Sequence, residues 1–149
     1  MKAHIFLLLS LWSFSVFAQE LKTVVQRGHL GDVTKIISYK KGKYVFTAGQ
    51  DYSVKLWDTH LKKEVKTYSG HDYAVLAMAI SPNDSILATG GKDDKVICWN
   101  IFTGESLFTF EKHRKRITSL AFSLDGKLIA SGGYDLSLIH ISEPTRLGM

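Results

Sequence analysis

An interval of 42 residues runs through this chain and limits its possible folds more than any other feature. His29, His71 and His113 keep it, as do Thr47, Thr89 and Ser131, and Asp51, Asp93 and Asp135. Trp57 and Trp99 keep it too, and Ile141 stands where a third tryptophan would fall. Four residue types held in one register describe a stacked unit, because one short unit cannot bury its apolar face alone. Such repetition also argues for scaffold over chemistry: a reaction needs one site, whereas fastening is needed in every copy.

The punctuation inside each unit repeats as well. In the second unit Val75–Ile80 is an apolar run suited to a strand covered on both faces. Ser81-Pro82-Asn83-Asp84 then supplies a turn. Ile86–Gly90, Lys95–Trp99 and Ser106–Phe110 predict three more strands, separated by Lys92-Asp93-Asp94 and Thr103-Gly104-Glu105. The first unit reads as strands at Val33–Ser38, Tyr44–Ala48, Ser53–Trp57 and Glu64–Tyr68, and the third as Ile117–Phe122 and Leu128–Ser131. Turn signals at roughly 8–12-residue intervals predict an all-β fold with one antiparallel sheet per unit.

These features resemble the WD-repeat β-propeller family, from Leu21 to Asp135. Gly28-His29 with Trp57-Asp58, and Gly70-His71 with Trp99-Asn100, carry the resemblance. Lys112 replaces the glycine before His113, and Asn100 replaces the closing aspartate. The resemblance implies four-stranded antiparallel blades around a channel, of which this chain would hold about two and a half. The propeller would thus be incomplete, spanning residues 19–135, with repeats at 28–69, 70–111 and 112–135. Leu21–Val25 would be an outer strand completing another blade. The resemblance further implies that indole, hydroxyl, imidazole and carboxylate bond to one another within each unit. Those residues are His29, Thr47, Asp51 and Trp57; His71, Thr89, Asp93 and Trp99; and His113, Ser131 and Asp135. The function it implies is a non-catalytic scaffold for a protein or peptide partner. The alternative is the binding module of a larger enzyme, such as a caspase-like cysteine peptidase.

The two ends read differently from the middle. A basic start at Lys2, the uncharged apolar stretch Ile5–Phe17 and the small residues of Val16-Phe17-Ala18 have the layout of a secretory signal peptide over residues 1–18. The apolar stretch is short of the about 20 residues a membrane span needs. The expectation is therefore an exported protein (periplasmic, cell-surface or secreted), bacterial in type, with no stable membrane span after cleavage. At the other end register fails after Asp135. Leu136 to Arg146 matches an in-frame translation of a transposase library adapter, so residues 136–149 are expected to be a non-native tail; a degenerate final strand is the alternative.

Composition excludes several classes. One cysteine, Cys98, sits in the apolar run Val96–Trp99 and cannot staple a disulfide scaffold. A formal charge of +5 is spread mostly as single cations among acids, which does not make a nucleic-acid surface. No Cys or His pair has metal-ligand spacing, and no phosphate-cradling loop is present, so neither metal nor cofactor is expected. Each Thr/Ser, His and Asp set has the residue types of a nucleophilic relay, but three copies at fixed spacing favour fastening. One charge cluster remains, Lys112 to Arg116. Arg114, Lys115 and Arg116 are the candidate rim for an acidic partner, against the plainer reading of a solvated loop.

Overall fold

Apolar runs bounded by glycine, proline and aspartate become eleven strands within residues 28–142, the part of the chain that the computed structural model describes. The expected leader, 1–18, and the expected outer strand Leu21–Val25 lie outside the described residues. Strands β1 (Val33–Tyr39), β2 (Tyr44–Gly49), β3 (Ser53–Asp58) and β4 (Lys63–Ser69) form the first sheet in chain order. The second holds β5 (Val75–Ile80), β6 (Ile86–Gly91), β7 (Val96–Asn100) and β8 (Ser106–Phe110). The third holds β9 (Ile117–Phe122), β10 (Leu128–Gly133) and β11 (Leu138–Ser142). All pairings are antiparallel between chain neighbours. Turns therefore alternate between the two ends of each sheet.

The sheets meet through their first strands, with β5 against both β1 and β9. This is the radial stacking of propeller blades: two complete blades and three strands of another, an incomplete propeller. Position in the stack sets burial. Val75 on β5 is fully buried, whereas Ile36 on β1, which meets one neighbouring blade among the described residues, is 64% exposed. The core lies between blades. Phe46, Val54, Leu56, Tyr68, Leu87, Ile97 and Trp99 fill the first seam. Ala77, Ala88, Val96, Cys98, Ile117 and Ile129 fill the second, where Cys98 serves as a buried small side chain.

Polar ties cross the first seam. The Tyr39 hydroxyl donates to the Asp84 carbonyl at 3.0 Å, and the Tyr68 hydroxyl to the Ile101 carbonyl at 2.9 Å. Thr34 donates to the Val75 carbonyl. The Tyr68 ring sits edge-on to Trp99 with centroids 5.9 Å apart. Burial, assisted by Tyr39, pushes the Tyr68 phenol up to about 12, so it stays protonated and donating.

After Asp135 the chain still makes a strand. β11 pairs with β10 so that Ile141 opposes Ile129, as Trp99 opposes Leu87 and Trp57 opposes Val45. Backbone pairing needs only an apolar, proline-free run beside the open edge of β10, whatever the origin of those residues.

Tyr68→Phe leaves a buried Ile101 carbonyl without its donor and should cost about 1–3 kcal/mol. Urea unfolding of the full chain checks this; an unchanged midpoint would mean that the tie does not couple the blades.

Candidate functional site

A chain of hydrogen bonds links the periodic residues within each blade. In the first, His29 Nδ1 lies 2.9 Å from Asp51 and Nε2 lies 2.7 Å from Thr47 Oγ1, which accepts from Trp57 Nε1 at 2.8 Å. In the second, His71 lies 2.7 Å from both Asp93 and Thr89, and Trp99 Nε1 donates to Thr89 at 2.8 Å. In the third, His113 lies 3.0 Å from Asp135 and 2.8 Å from Ser131. A carboxylate can only accept, so Nδ1 carries the ring proton and Nε2 of the neutral ring accepts from the hydroxyl. The direction is thus indole to hydroxyl to imidazole to carboxylate. Nothing buried is left over: among the described residues no buried side-chain nitrogen or oxygen lacks a partner.

The aspartate is the hub. Asp51 Oδ2 also accepts the Leu30 N–H at 2.9 Å, and Oδ1 accepts the Ser53 N–H at 3.2 Å. The same two backbone bonds recur at Asp93, from Asp72 and Lys95, and at Asp135, from Arg114 and Ser137. One side chain therefore pins the loop entering a blade to the hairpin between its second and third strands. Burial works to raise the Asp51 carboxyl, but bonds from His29, Leu30 and Ser53 outweigh it and bring it down to about 2. At Asp93 burial is again outweighed, chiefly by His71, and the carboxyl is lowered. Asp135 is lowered by bonds from Ser137 and from the Arg114 N–H.

Several members of this arrangement escape a reading by residue chemistry. A Cβ on Gly49 would sit 2.6 Å from Asp51 Oδ1, and one on Gly91 would sit 2.8 Å from Asp93 Oδ1. Glycine is there because imidazole and carboxylate pass directly over the backbone. Ser53 Oγ donates to Asp51 at 2.8 Å, and Ser137 Oγ lies 3.1 Å from His113 Nδ1. The matching position in the second blade is Lys95, which pairs outward with Asp72 and Glu111. Tyr52, Asp94 and Leu136 each take a left-handed backbone at the following turn (φ 69°, 64° and 60°). All three sets keep the 42-residue interval, the signal by which they were findable.

The residue after each tryptophan explains a departure in the pattern. Asp58 Oδ1 caps the His60 and Leu61 N–H groups at 2.9 and 2.8 Å. Asn100 Oδ1 caps Phe102 and Thr103 at 2.8 and 3.0 Å. Both side chains supply a carbonyl-type acceptor, so Asn replaces Asp without loss.

The order hydroxyl, imidazole, carboxylate is that of a hydrolase relay, but two of the three hydroxyls are shut away and that of Thr47, half-buried, is already bonded to His29 and Trp57. Thr89 and Ser131 have no exposed surface, so neither oxygen can meet a substrate carbon. The three histidines serve different blades, and among the described residues no group of three His, Cys, Asp or Glu gathers to hold a metal ion. Arg114, Lys115 and Arg116 sit exposed at the blade end that carries these latches. With Lys92, Asp94 and Tyr134 they line a depression of about 440 Å³. The Arg116 guanidinium lies 3.7 Å above the Tyr134 ring.

The WD40 family pattern (WD domain, G-beta repeat) matches residues 19–58, 62–100 and 104–140. The chain belongs to this family. Each match is offset from a blade by one strand: the second begins at β4, the outer strand of the first blade, and ends with β7. The third runs past Asp135 into β11. The chain is similar to COMPASS component SWD3 of Saccharomyces cerevisiae, 38% identical over 58 residues, which cover 39% of this chain and 18% of the relative. It is similar to WD repeat domain-containing protein 83 of Xenopus laevis, 50% identical over 46 residues (31% and 15%). It also resembles Nuclear distribution protein PAC1 of Candida albicans, 32% identical over 78 residues (52% and 16%). The chain spans less than a fifth of the length of these relatives.

Thr89→Val should cost about 1–3 kcal/mol for each of two partners stranded, the Trp99 indole and His71 Nε2. Ser131→Ala strands His113 Nε2 but no indole, because position 141 is isoleucine, and should cost about half as much in the same urea titration.

Acid should act through the hubs. Asp51 is lowered from its ordinary 3.8 to about 2, so its contribution is present above pH 3.8 and is lost as pH falls through about 2. Asp51→Asn should flatten the decline of the urea midpoint across that window; an unchanged slope would remove Asp51 from the acid response.

Proposed function

We propose that this chain is part of a non-catalytic interaction platform, an exported WD-repeat propeller that presents its blade ends to a protein or peptide partner. The observation that carries this reading is the latch itself. It occupies every imidazole–hydroxyl set of the repeat in holding loops to strands, and leaves exposed loops at both blade ends as the surface open to a partner. The relatives' names support the assembly role: one is a component of COMPASS and another, from Sclerotinia sclerotiorum, is a subunit of translation initiation factor 3. Fold alone does not fix function, so the partner class rests on surface chemistry.

The contact we assign is the rim of Arg114, Lys115 and Arg116. None of these side chains pairs with a carboxylate among the described residues, and Arg116 is held in place by Tyr134. A guanidinium fixed over a ring keeps its donors ready for a carboxylate or phosphate. The layout of residues 1–18 supports export, and the likeness of Leu136–Arg146 to a translated library adapter, with Ile141 in place of a tryptophan, supports a foreign origin for 136–149.

Changing Arg114, Lys115 and Arg116 together to Gln should leave folding intact and abolish salt-sensitive binding to partners recovered by crosslinking. Retained binding would sink the rim assignment. Peptide mapping of the protein from its source should find Gln19 at the N-terminus and no peptide covering Leu136–Arg146; the opposite result at either end would refute that part of the reading.

A further inference from the structure

The turns of each meander alternate between ends, so the loops 40–43, 59–62 and 101–105 all lie opposite the Arg114–Arg116 rim. At that far end a groove of about 210 Å³ opens on the seam between the first two blades. Tyr39, Tyr44, Leu56 and Val65 of the first blade form one wall, and Ile101 and Phe102 of the second form the other. Both blades are complete four-stranded sheets, so the groove has both its walls. Val65 and Phe102 remain 47% and 61% exposed, an apolar lining with nothing laid on it among the described residues.

Its mouth is cationic. Lys40 Nζ lies 5.5 Å from the Tyr39 ring centre and 5.6 Å from that of Phe102, and Lys66 Nζ donates to the Phe102 carbonyl. Lys41, Lys43, Lys62 and Lys63 extend the same end. No carboxylate among the described residues pairs with any of these six ammonium groups. The nearby acids are few: Asp58 is turned inward on backbone N–H groups and Glu64 is bound to Lys55. Asp84 and Glu105 are what is left, against six lysines.

We infer that this seam groove is a second docking site, which takes an acidic protein segment carrying one aromatic or long aliphatic anchor between Asp or Glu residues. The anchor fills the apolar floor, where burial supplies affinity, and the flanking carboxylates meet Lys40 and Lys66, which supply selectivity and association rate. A bilayer is the poorer occupant, because a planar surface cannot enter a concavity between two rigid sheets. The inference rests on the platform reading only in taking a protein segment as the occupant, and it concerns the opposite end of the blades.

The test is selection of random dodecapeptides displayed on phage against the full chain. Enriched peptides should carry an aromatic or long aliphatic residue flanked by Asp or Glu. Their synthetic copies should lose about tenfold in affinity by fluorescence anisotropy on Lys40→Glu with Lys66→Gln, and likewise on Phe102→Ser. Circular dichroism should stay unchanged in these surface variants, and the rim Gln variant should bind as wild type. Absence of such a consensus, or binding indifferent to the groove substitutions, overturns the inference. Peptides lost only on the rim variant overturn it while leaving the platform reading standing. Phosphatidylglycerol vesicles that bind through Lys40, Lys66 and Phe102 when no peptide does would also overturn it.

Discussion

Everything in this architecture depends on carboxylates that accept three or four bonds at once. Asp51, Asp93 and Asp135 each take an imidazole N–H, the N–H of the loop entering the blade and the N–H that starts the third strand. At Asp51 a serine hydroxyl makes the fourth. Such a group belongs in a place that water barely reaches only because its partners replace water, and an incomplete set would be worse than an apolar core. That requirement propagates outward. It fixes the tautomer of the histidine, hence the direction of the hydroxyl proton, hence the need for an indole N–H to fill the remaining lone pair.

The same requirement occupies residues whose types would otherwise suit catalysis. A relay works when its hydroxyl faces a cleft; in this fold the hydroxyl faces the inside of a sheet and is already claimed by tryptophan and histidine. With the strands fixed this way, the exposed cations lie at the blade ends, beside the latches at one end and away from them at the other. The two ends differ in kind. One gathers guanidinium groups around Tyr134 in an open depression; the other surrounds an apolar seam with ammonium groups.

Packing completes what polar fastening begins. Each sheet is apolar on both faces, so a blade is stable only between neighbours, and the seams are where Phe46, Tyr68, Leu87 and Trp99 lie. Tyr68 does two things there, filling volume against Trp99 and tying the Ile101 carbonyl across the seam.

The interval of 42 residues, read with turn residues and apolar runs, determined from sequence alone that this chain repeats one antiparallel sheet. The eight strands of the first two units fell within a residue or two of where the structure has them, because short strands between proline, glycine and aspartate leave little room for error. Chemistry-bearing members of the latch were also legible, since His, Thr, Asp and Trp are conspicuous. Gly49 and Gly91 were not, because a missing side chain shows its purpose only when an imidazole is seen to occupy its space. Nor was β11 clear, because backbone pairing to an open edge tolerates a run that lacks every landmark. Burial and the seam groove belong to tertiary structure alone. Ile36 and its counterpart Met78 are both apolar, yet which is covered depends on how many blades flank the strand. Residues as far apart as Tyr39 and Phe102 share a cavity only once two sheets are pressed together.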